Sequence, residues 1–355
     1  MDGNRNHDFR NAKAGKKDEF YTQLNDIELE LTHYKGHFEN KTVYLNCDDP
    51  RDSNFYRYFS VNFKSLGLKK LITSCYKSID TSFFTNHISS QAVWFEYEGK
   101  EDAPFQHEEK IGVQPLHGDG DFRSEECIAL LKQADIVVTN PPFSLFREYF
   151  AQLVRFDKEF IILGNMNALT YKEVFPFFQN NQVWYGPSIR SGDREFSVPD
   201  DYPLTAAGYR IDRNGSKFIR VKGVRWFTNL EYQGRHKNLH LTKKYRPDNY
   251  PKYVNYNAIE VSKTLEIPID YDDLMGVPIT FADKYNPYQF EIIGSSKTLG
   301  IPMSRIAKKG TYQQGDPRFY LQDEHGEYHR MYDRIVVRNK QPMREVDASV
   351  LQISR

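Results

Sequence analysis

The sequence predicts an α/β fold whose mainly parallel sheet is covered by helices on both faces. Three observations carry that expectation. The run Ile136-Val137-Val138 is short, apolar and β-branched, as a parallel strand buried on both faces requires. It passes through a stiff turn into an amphipathic helix that reaches Phe150, and strand-then-helix patterns also stand at Val43 to Phe63 and at Phe160 to Phe178. The chain has 355 residues, enough for two ordinary domains with cores of their own.

Composition narrows the function class. There are 25 Phe and 24 Tyr, yet no apolar stretch approaches the ~18 residues that span a bilayer. The first residues are polar and basic, unlike a signal peptide, so a soluble cytoplasmic protein without membrane contact is expected. Cys47, Cys75 and Cys127 are odd in number and far apart, which suggests neither a disulfide framework nor a thiolate zinc site. His33 with His37 and His236 with His240 share helical faces but lack a third ligand, so no metal is expected. Net charge is zero. From residue 181 onward, however, 27 Lys+Arg face 21 Asp+Glu, and the first 180 residues carry the reverse excess. An acidic front and a basic back fit a catalytic region followed by one that meets phosphates, although ordinary charge scatter gives the same pattern.

Residues 1–17 are polar and read as a flexible N-terminal arm. Asp18-Glu19-Phe20-Tyr21-Thr22 then leads into a helix with Leu24, Ile27, Leu31 and Tyr34 at helical spacing; a hydrophobic staple is the plain reading of Phe20 and Tyr21. Val43 to Cys47 is the next strand. Asp48-Asp49-Pro50-Arg51-Asp52-Ser53-Asn54-Phe55 comes next and opens a helix, with Asp52 or Ser53 as its cap. A first strand turning into a helix is where a nucleotide-like ligand approaches backbone amides. Leu68 to Tyr76 is a second strand, and Ala92–Tyr97 with Ile111–Leu116 a strand pair around a polar insert. Glu98-Gly99-Lys100 lacks the upstream acidic partner of a nuclease site. Gly118-Asp119-Gly120-Asp121-Phe122 makes a turn before a helix from Ser124, its cap, to Gln133.

The centre is Ala134 to Phe150. Pro141 and Pro142 cannot donate to a ladder, and each holds the residue before it extended, here Asn140 and Pro141, at the carboxyl end of a strand. Ligands of open α/β sheets bind at that end. The Asn140 side-chain carbonyl and the Pro141 main-chain carbonyl could together accept both hydrogens of an exocyclic amine, and Phe143 offers a flat face for a base. A strand ending in a rigid turn is the plain alternative. Beyond it, Phe160 to Asn165 is another buried strand and Tyr171 to Phe178 a helix. Val183 to Gly186 and Phe218 to Thr228 suggest a closing hairpin of the sheet around a long loop, 187–215. Arg190, Arg194, Arg210 and Arg213 on that loop, with Arg225 after it, are candidates for DNA phosphates or solvated charge; Arg190, Arg194 and Arg225 are the preferred contacts. Phe290–Gly294 and Arg334–Arg338 read as strands in the Tyr-, Lys- and Arg-rich remainder.

Asn140-Pro141-Pro142-Phe143 matches the Asn/Asp-Pro-Pro-Tyr/Phe signature of amino-methyltransferases that use S-adenosylmethionine. The run Asn46-Cys47-Asp48-Asp49-Pro50 with Ser53-Asn54-Phe55 resembles the EcoRI-type adenine-specific DNA methyltransferases, in which it replaces a glycine loop. The resemblance is strong at Asp18–Thr22, Cys47–Phe55 and Gly120–Phe146. It implies a Rossmann-like methyltransferase fold with a seven-stranded, mostly parallel sheet in residues 18–230 and a target-recognition region in 231–355. It also implies that S-adenosylmethionine lies against Phe20, Tyr21, Thr22, Cys47, Asp48, Asp49, Pro50, Asn54, Cys75 and Asn140, with Asp121 and Phe122 at its adenine. Asn140, Pro141, Pro142 and Phe143 would act on a flipped-out adenine. The chain departs from the pattern at Gln23, where the family usually has Pro, and at Cys75-Tyr76, where an acid normally holds the ribose. Asp80 is a distant substitute. The implied partner is double-stranded DNA, the implied state a monomer, and the implied setting a restriction–modification system with a separate endonuclease or an orphan or phage methylase. An RNA or protein-glutamine methyltransferase with the same turn, or a catalytically silent DNA-binding relative, are the alternatives.

Overall fold

The computed structural model describes residues 21–51, 53–76, 92–99, 112–190, 192–198, 202 and 208–344. The arm at 1–17, Phe20, Asp52, Asp80 and part of the 187–215 loop lie outside the described residues. The chain divides into two compact units, one of Met1–Ala168 with Val183–Tyr232, the other of Leu169–Gln182 with Gln233–Arg355.

In the first unit the elements are β1 (Tyr21–Thr22), α1 (Leu24–Leu31), β2 (Thr42–Leu45), α2 (Asn54–Val61), β3 (Lys70–Cys75), β4 (Val93–Tyr97), β5 (Gln114–Pro115), α3 (Glu125–Gln133), β6 (Ile136–Thr139), α4 (Phe146–Arg155), β7 (Glu159–Asn165), β8 (Trp184–Tyr185), β9 (Asp193–Val198), β10 (Arg210–Ile211), β11 (Lys217–Lys222) and β12 (Val224–Thr228). The large sheet has the order β5-β4-β3-β2-β6-β7-β12-β8. Its centre, β3-β2-β6-β7, is parallel, and antiparallel strands flank it on each side. Chain order reverses between β2 and β6, which makes their carboxyl ends a topological switch point.

Local chemistry explains the central elements. Val43, Leu45, Ile136, Val138, Ile161 and Leu163 are fully buried, and each such side chain contributes about 1.5–3 kcal/mol relative to exposure. Ser53 starts α2 by accepting from the Phe55 and Tyr56 amides, and Ser124 starts α3 by accepting from the Cys127 amide. Phe55 and Phe59 turn into the core, where Phe55 meets Trp226 edge-on at 6.1 Å. Ile27, Leu31 and Tyr34 form the buried stripe of α1 and the 3₁₀ turn after it.

Two expectations need correction. The sheet has eight strands among the described residues, against the seven the resemblance implies. The outermost, β5, is a two-residue strand holding Pro115, a residue without an N–H that is tolerated at an edge. The Phe218–Thr228 run is two strands in two sheets. Gly223, at φ +70°, breaks it, sending β12 into the large sheet beside β8 and β7 and β11 into a separate sheet of order β1-β9-β11-β10. Part of the expected 187–215 loop is strand, β9 and β10, and β1 pairs with β9 through Tyr21 opposite Ser197 and Thr22 opposite Phe196.

The second unit contains α5 (Phe175–Gln179), β13 (Ile259–Glu260), β14 (Met275–Pro278), β15 (Phe290–Ser295), β16 (Tyr320–Gln322), β17 (Tyr328–Arg330) and β18 (Arg334–Asn339). Its sheet runs β13-β14-β18-β15, and β16 with β17 forms a hairpin. Within this unit Arg334 grips Glu260 through Nε and Nη2, at 2.7 Å for the shortest contact, and Tyr253 donates to the same carboxylate. No helix among the described residues is long and apolar enough to cross a membrane.

Candidate active site

Three strand ends meet at Asp48. Its carboxylate is buried in the turn after β2, and both oxygens are used: Ser53 Oγ donates to Oδ1 at 2.6 Å and Thr139 Oγ1 donates to Oδ2 at 2.6 Å. Its backbone is held as well, the amide donating to the Ser74 carbonyl at 3.0 Å and the carbonyl accepting from Thr73 Oγ1. Asp48 was expected to touch the cofactor, and its side chain is instead committed to the protein itself. Burial pushes its carboxyl up to about 6, against the opposing pull of the Ser53 and Thr139 hydrogen bonds.

That shift makes stability depend on pH. Because the folded pKa is raised, the group's contribution is fully present below pH ~4 and is lost as pH rises through about 6. Chemical denaturation of the parent and of Asp48→Asn at pH 4 and pH 8 should show the parent losing stability relative to the variant on going up. Two pKa units correspond to on the order of 3 kcal/mol. A pH-independent difference would mean that Asp48 ionises normally.

The neighbouring residues are those expected to hold the cofactor. Asp49 accepts from the Arg51 amide at 3.0 Å and from its Nε at 2.8 Å, and lies 3.6 Å from Cys75 Sγ at the end of β3. Burial, then the Asp49 charge, raises the Cys75 thiol, so it stays protonated. Gly120, at φ +80°, approaches so closely that a Cβ there would stand 2.4 Å from the Cys75 carbonyl oxygen. That contact brings the Gly118–Phe122 turn to the end of β3, beside Asp49. Asp121 is half-buried and takes both arms of Arg123, which also reaches Glu148 at 2.6 Å. Phe122 is buried, edge-on to Tyr149 at 5.0 Å and with the Arg123 guanidinium 5.2 Å from its ring centroid. It was expected to cover a ligand ring, and its ring belongs mostly to the core.

On the other side, Asn54 Nδ2 donates to the Thr22 carbonyl at 2.8 Å, tying β1 to the start of α2. The Thr22 hydroxyl is buried and makes no hydrogen bond among the described residues. Asn46, at the end of β2, faces the Tyr149 hydroxyl without a well-formed hydrogen bond. Sequence reasoning missed Thr73, Thr139 and Tyr149, and named Asn46 only as part of a motif. A polar Thr139 closing an otherwise apolar strand was the one signal available. Asn140 and Phe143 are half-buried and Pro141 is buried, immediately past β6. Pro142 is extended at ψ 124° and starts a 3₁₀ turn, Phe143–Leu145, that runs into α4. Phe143 rests against the core.

The arginine candidates separate. Arg190 is exposed. Arg194 Nε lies 3.8 Å from Asp26, with only 28% of its side chain exposed. Arg225 is buried, donating to the Val224 carbonyl at 2.8 Å and the Arg190 carbonyl at 2.9 Å. The expectation that Arg225 contacts phosphate is corrected: it lies inside the unit and holds the Arg190 backbone. In the second unit, Asp323, Glu327 and His329 on the β16–β17 hairpin bring ligand atoms within 4.8 Å of one another, Asp323 and His329 bonding directly at 2.6 Å.

Comparison with known proteins gives a consistent result. A family profile described as "Adenine-specific methyltransferase EcoRI" matches residues 8–340. Type II methyltransferase M.EcoRI of Escherichia coli is 52% identical over 284 residues, covering 79% of this chain and 87% of that protein. Type II methyltransferase M.MgeORF184P of Mycoplasma genitalium is 37% identical over 344 residues, and M.MpnI of Mycoplasma pneumoniae 36% over 344, each covering 94% of this chain and 99% of the relative. No solved structure matches the chain.

Proposed function

The chain belongs to the EcoRI family of adenine-specific methyltransferases, and from that premise we propose how its first unit carries out the reaction. It is a site-specific DNA methyltransferase that modifies adenine. Our reading is of a cytoplasmic monomer that takes S-adenosylmethionine as methyl donor and transfers to the N6 amine of an adenine flipped out of duplex DNA. A restriction–modification system with a separate endonuclease is the setting in which such a modification protects DNA.

The observation that carries this reading is the hydrogen bond between Asp48 and Thr139. It joins the Cys47–Asn54 turn to the residue before Asn140 at the switch point of the sheet. The donor set fits the cofactor. Thr22 Oγ1 and the Asn46 amide are buried polar groups with hydrogen-bonding capacity to spare, beside a turn expected to hold the methionine half. We assign Asp49, 3.6 Å from Cys75 Sγ, to the ribose and the backbone of Gly120 and Asp121, which closes on the Cys75 carbonyl, to the adenine. When bound, S-adenosylmethionine supplies an electrophilic methyl group.

The protein's own part is positioning. An adenine amine is a poor nucleophile because its lone pair is delocalised into the ring. Asn140 Oδ1 and the Pro141 carbonyl, fixed in advance, accept its two hydrogens and favour tetrahedral nitrogen. Asn140 is neutral, so no strong base acts there and the proton leaves after transfer. Phe143 replaces the stacking that the flipped base has lost.

Sequencing DNA from cells that express the protein, with modified adenines called, tests this reading. One short sequence methylated at N6 is the expected result, and unmodified adenine throughout would overturn it. Duplex contacts are assigned to the basic second unit and to Arg190. Neutralising Arg190 and Arg194 together should flatten the salt dependence of DNA binding by about one unit of log–log slope, Arg190 carrying the effect because Arg194 faces Asp26. An unchanged slope would make both arginines ordinary surface charge.

A further inference from the structure

We propose that Asp48 and Thr139 form a positioning pair that sets the direction of Asn140, and that Asp48 acts on the reaction through Thr139. The inference rests on Asn140 being the catalytic acceptor. The β6–β7 ladder runs up to Thr139, opposite Ile162. On its other side, the β2–β6 ladder pairs only Val43 with Ile136 and Tyr44 with Val137. Past Val137 the two strands part, as they do at a switch point, and a ligand needs that opening. The end of β6 therefore has a ladder partner on one side only. The Thr139 hydroxyl, bonded to Asp48 Oδ2 at 2.6 Å, spans the opening on the other.

The two prolines beyond Thr139 make its orientation matter. Pro141 holds Asn140 extended and Pro142 holds Pro141 extended, so the turn is stiff and moves as one piece about the Thr139–Asn140 junction. A small rotation there carries Asn140 away from the line of attack. Asp48 is itself fixed at its amide by Ser74, at its carbonyl by Thr73 and at Oδ1 by Ser53, whose oxygen also accepts from the Phe55 and Tyr56 amides. The residue after Ser53, Asn54, holds the Thr22 carbonyl. One run of hydrogen bonds thus extends from β1 through the start of α2 and Asp48 to the residue before Asn140. Such a brace keeps cofactor turn and catalytic turn in one register.

Thr139→Val removes the hydroxyl and keeps the volume, whereas Thr139→Ser keeps the hydroxyl. Both are compared with the parent and with Asn140→Ala, as full-length proteins, in single-turnover methylation of duplex DNA and in calorimetric titration with S-adenosylmethionine. The pair predicts a rate on the order of 10²-fold slower for Thr139→Val, the loss typical of about 1 Å of misplacement, with cofactor affinity unchanged and the rate largely restored in Thr139→Ser. A merely structural Thr139 would lower the melting temperature and leave the rate of the cofactor-loaded protein at the parental value, which would overturn the inference. If the valine variant folds poorly, Thr139→Cys keeps the size and weakens the donor; a slowed rate supports the pair and a parental rate overturns it. If Asn140→Ala is slow while Thr139→Val is not, only this inference falls. If Asn140→Ala itself reacts normally, the reading of the site falls with it.

Discussion

Replacing Asn140 with alanine is expected to slow methyl transfer by ~10²–10³-fold, about 3–4 kcal/mol of transition-state stabilisation, with little change in cofactor affinity or melting temperature. The effect is large because the acceptor's hydrogen bond strengthens as the amine becomes tetrahedral. Ground-state binding gains little from it, so the loss falls on the rate. Stability should hold because Asn140 is half-buried at the end of a strand whose apolar residues, Ile136 to Val138, are untouched. Phe143→Ala should differ in kind. Its ring rests partly on the core, and aromatic stacking on a base is worth roughly 1–3 kcal/mol, so capture of the flipped adenine should weaken more than the chemical step. Single-turnover methylation with labelled cofactor, run over a range of DNA concentrations, separates the two.

The second large effect belongs to the other unit. Arg334→Ala should destabilise it by about 3–5 kcal/mol, because the Glu260 carboxylate, with only 2% of its side chain exposed, would be left charged without its cation. Tyr253 still donates to that carboxylate, but one hydroxyl does not replace a guanidinium bonded through two nitrogens. The penalty is that of an unpaired buried charge rather than the net worth of the pair. Changing both partners, Arg334→Met with Glu260→Gln, should therefore recover much of the loss. Urea unfolding checks both variants. A double variant as unstable as the single one would show that packing around the arginine stem dominates.

Some of this molecule was legible in its sequence, and the physics explains which parts. The Ile136–Thr139 strand and its turn could be read because an apolar β-branched run ends at two prolines, a purely local signal. The caps at Ser53 and Ser124 were local in the same way. The features that escaped were of two kinds, a glycine inside an apparent strand and partners far along the chain. Phe218 to Thr228 has the residue types of one long strand, and only the positive φ of Gly223 divides it between two sheets. Arg225 looks like any basic residue on a strand. That it is buried depends on the Arg190 carbonyl, 35 residues away, folding over it. Asp48 fits a ligand-binding turn until Thr139, 91 residues on, is found at its carboxylate. For Arg225 and Asp48 the residue type was informative and its partner lay too far along the chain to be read. For Phe122 the sequence indicated an aromatic in the Gly118–Phe122 turn, and its packing against Tyr149 buries the ring.

On the function proposed above, the turn at the β2–β6 switch point methylates the adenine amine in duplex DNA. Its most direct test incubates the purified protein with S-adenosylmethionine labelled in the methyl group and, in parallel, duplex DNA, RNA and a glutamine-containing protein, then digests each and locates the label. Label is expected on N6 of adenine from duplex DNA, with its near absence in the same assay with Asn140→Ala. Label on RNA or on a glutamine side chain, or undiminished transfer to adenine by Asn140→Ala, would contradict it.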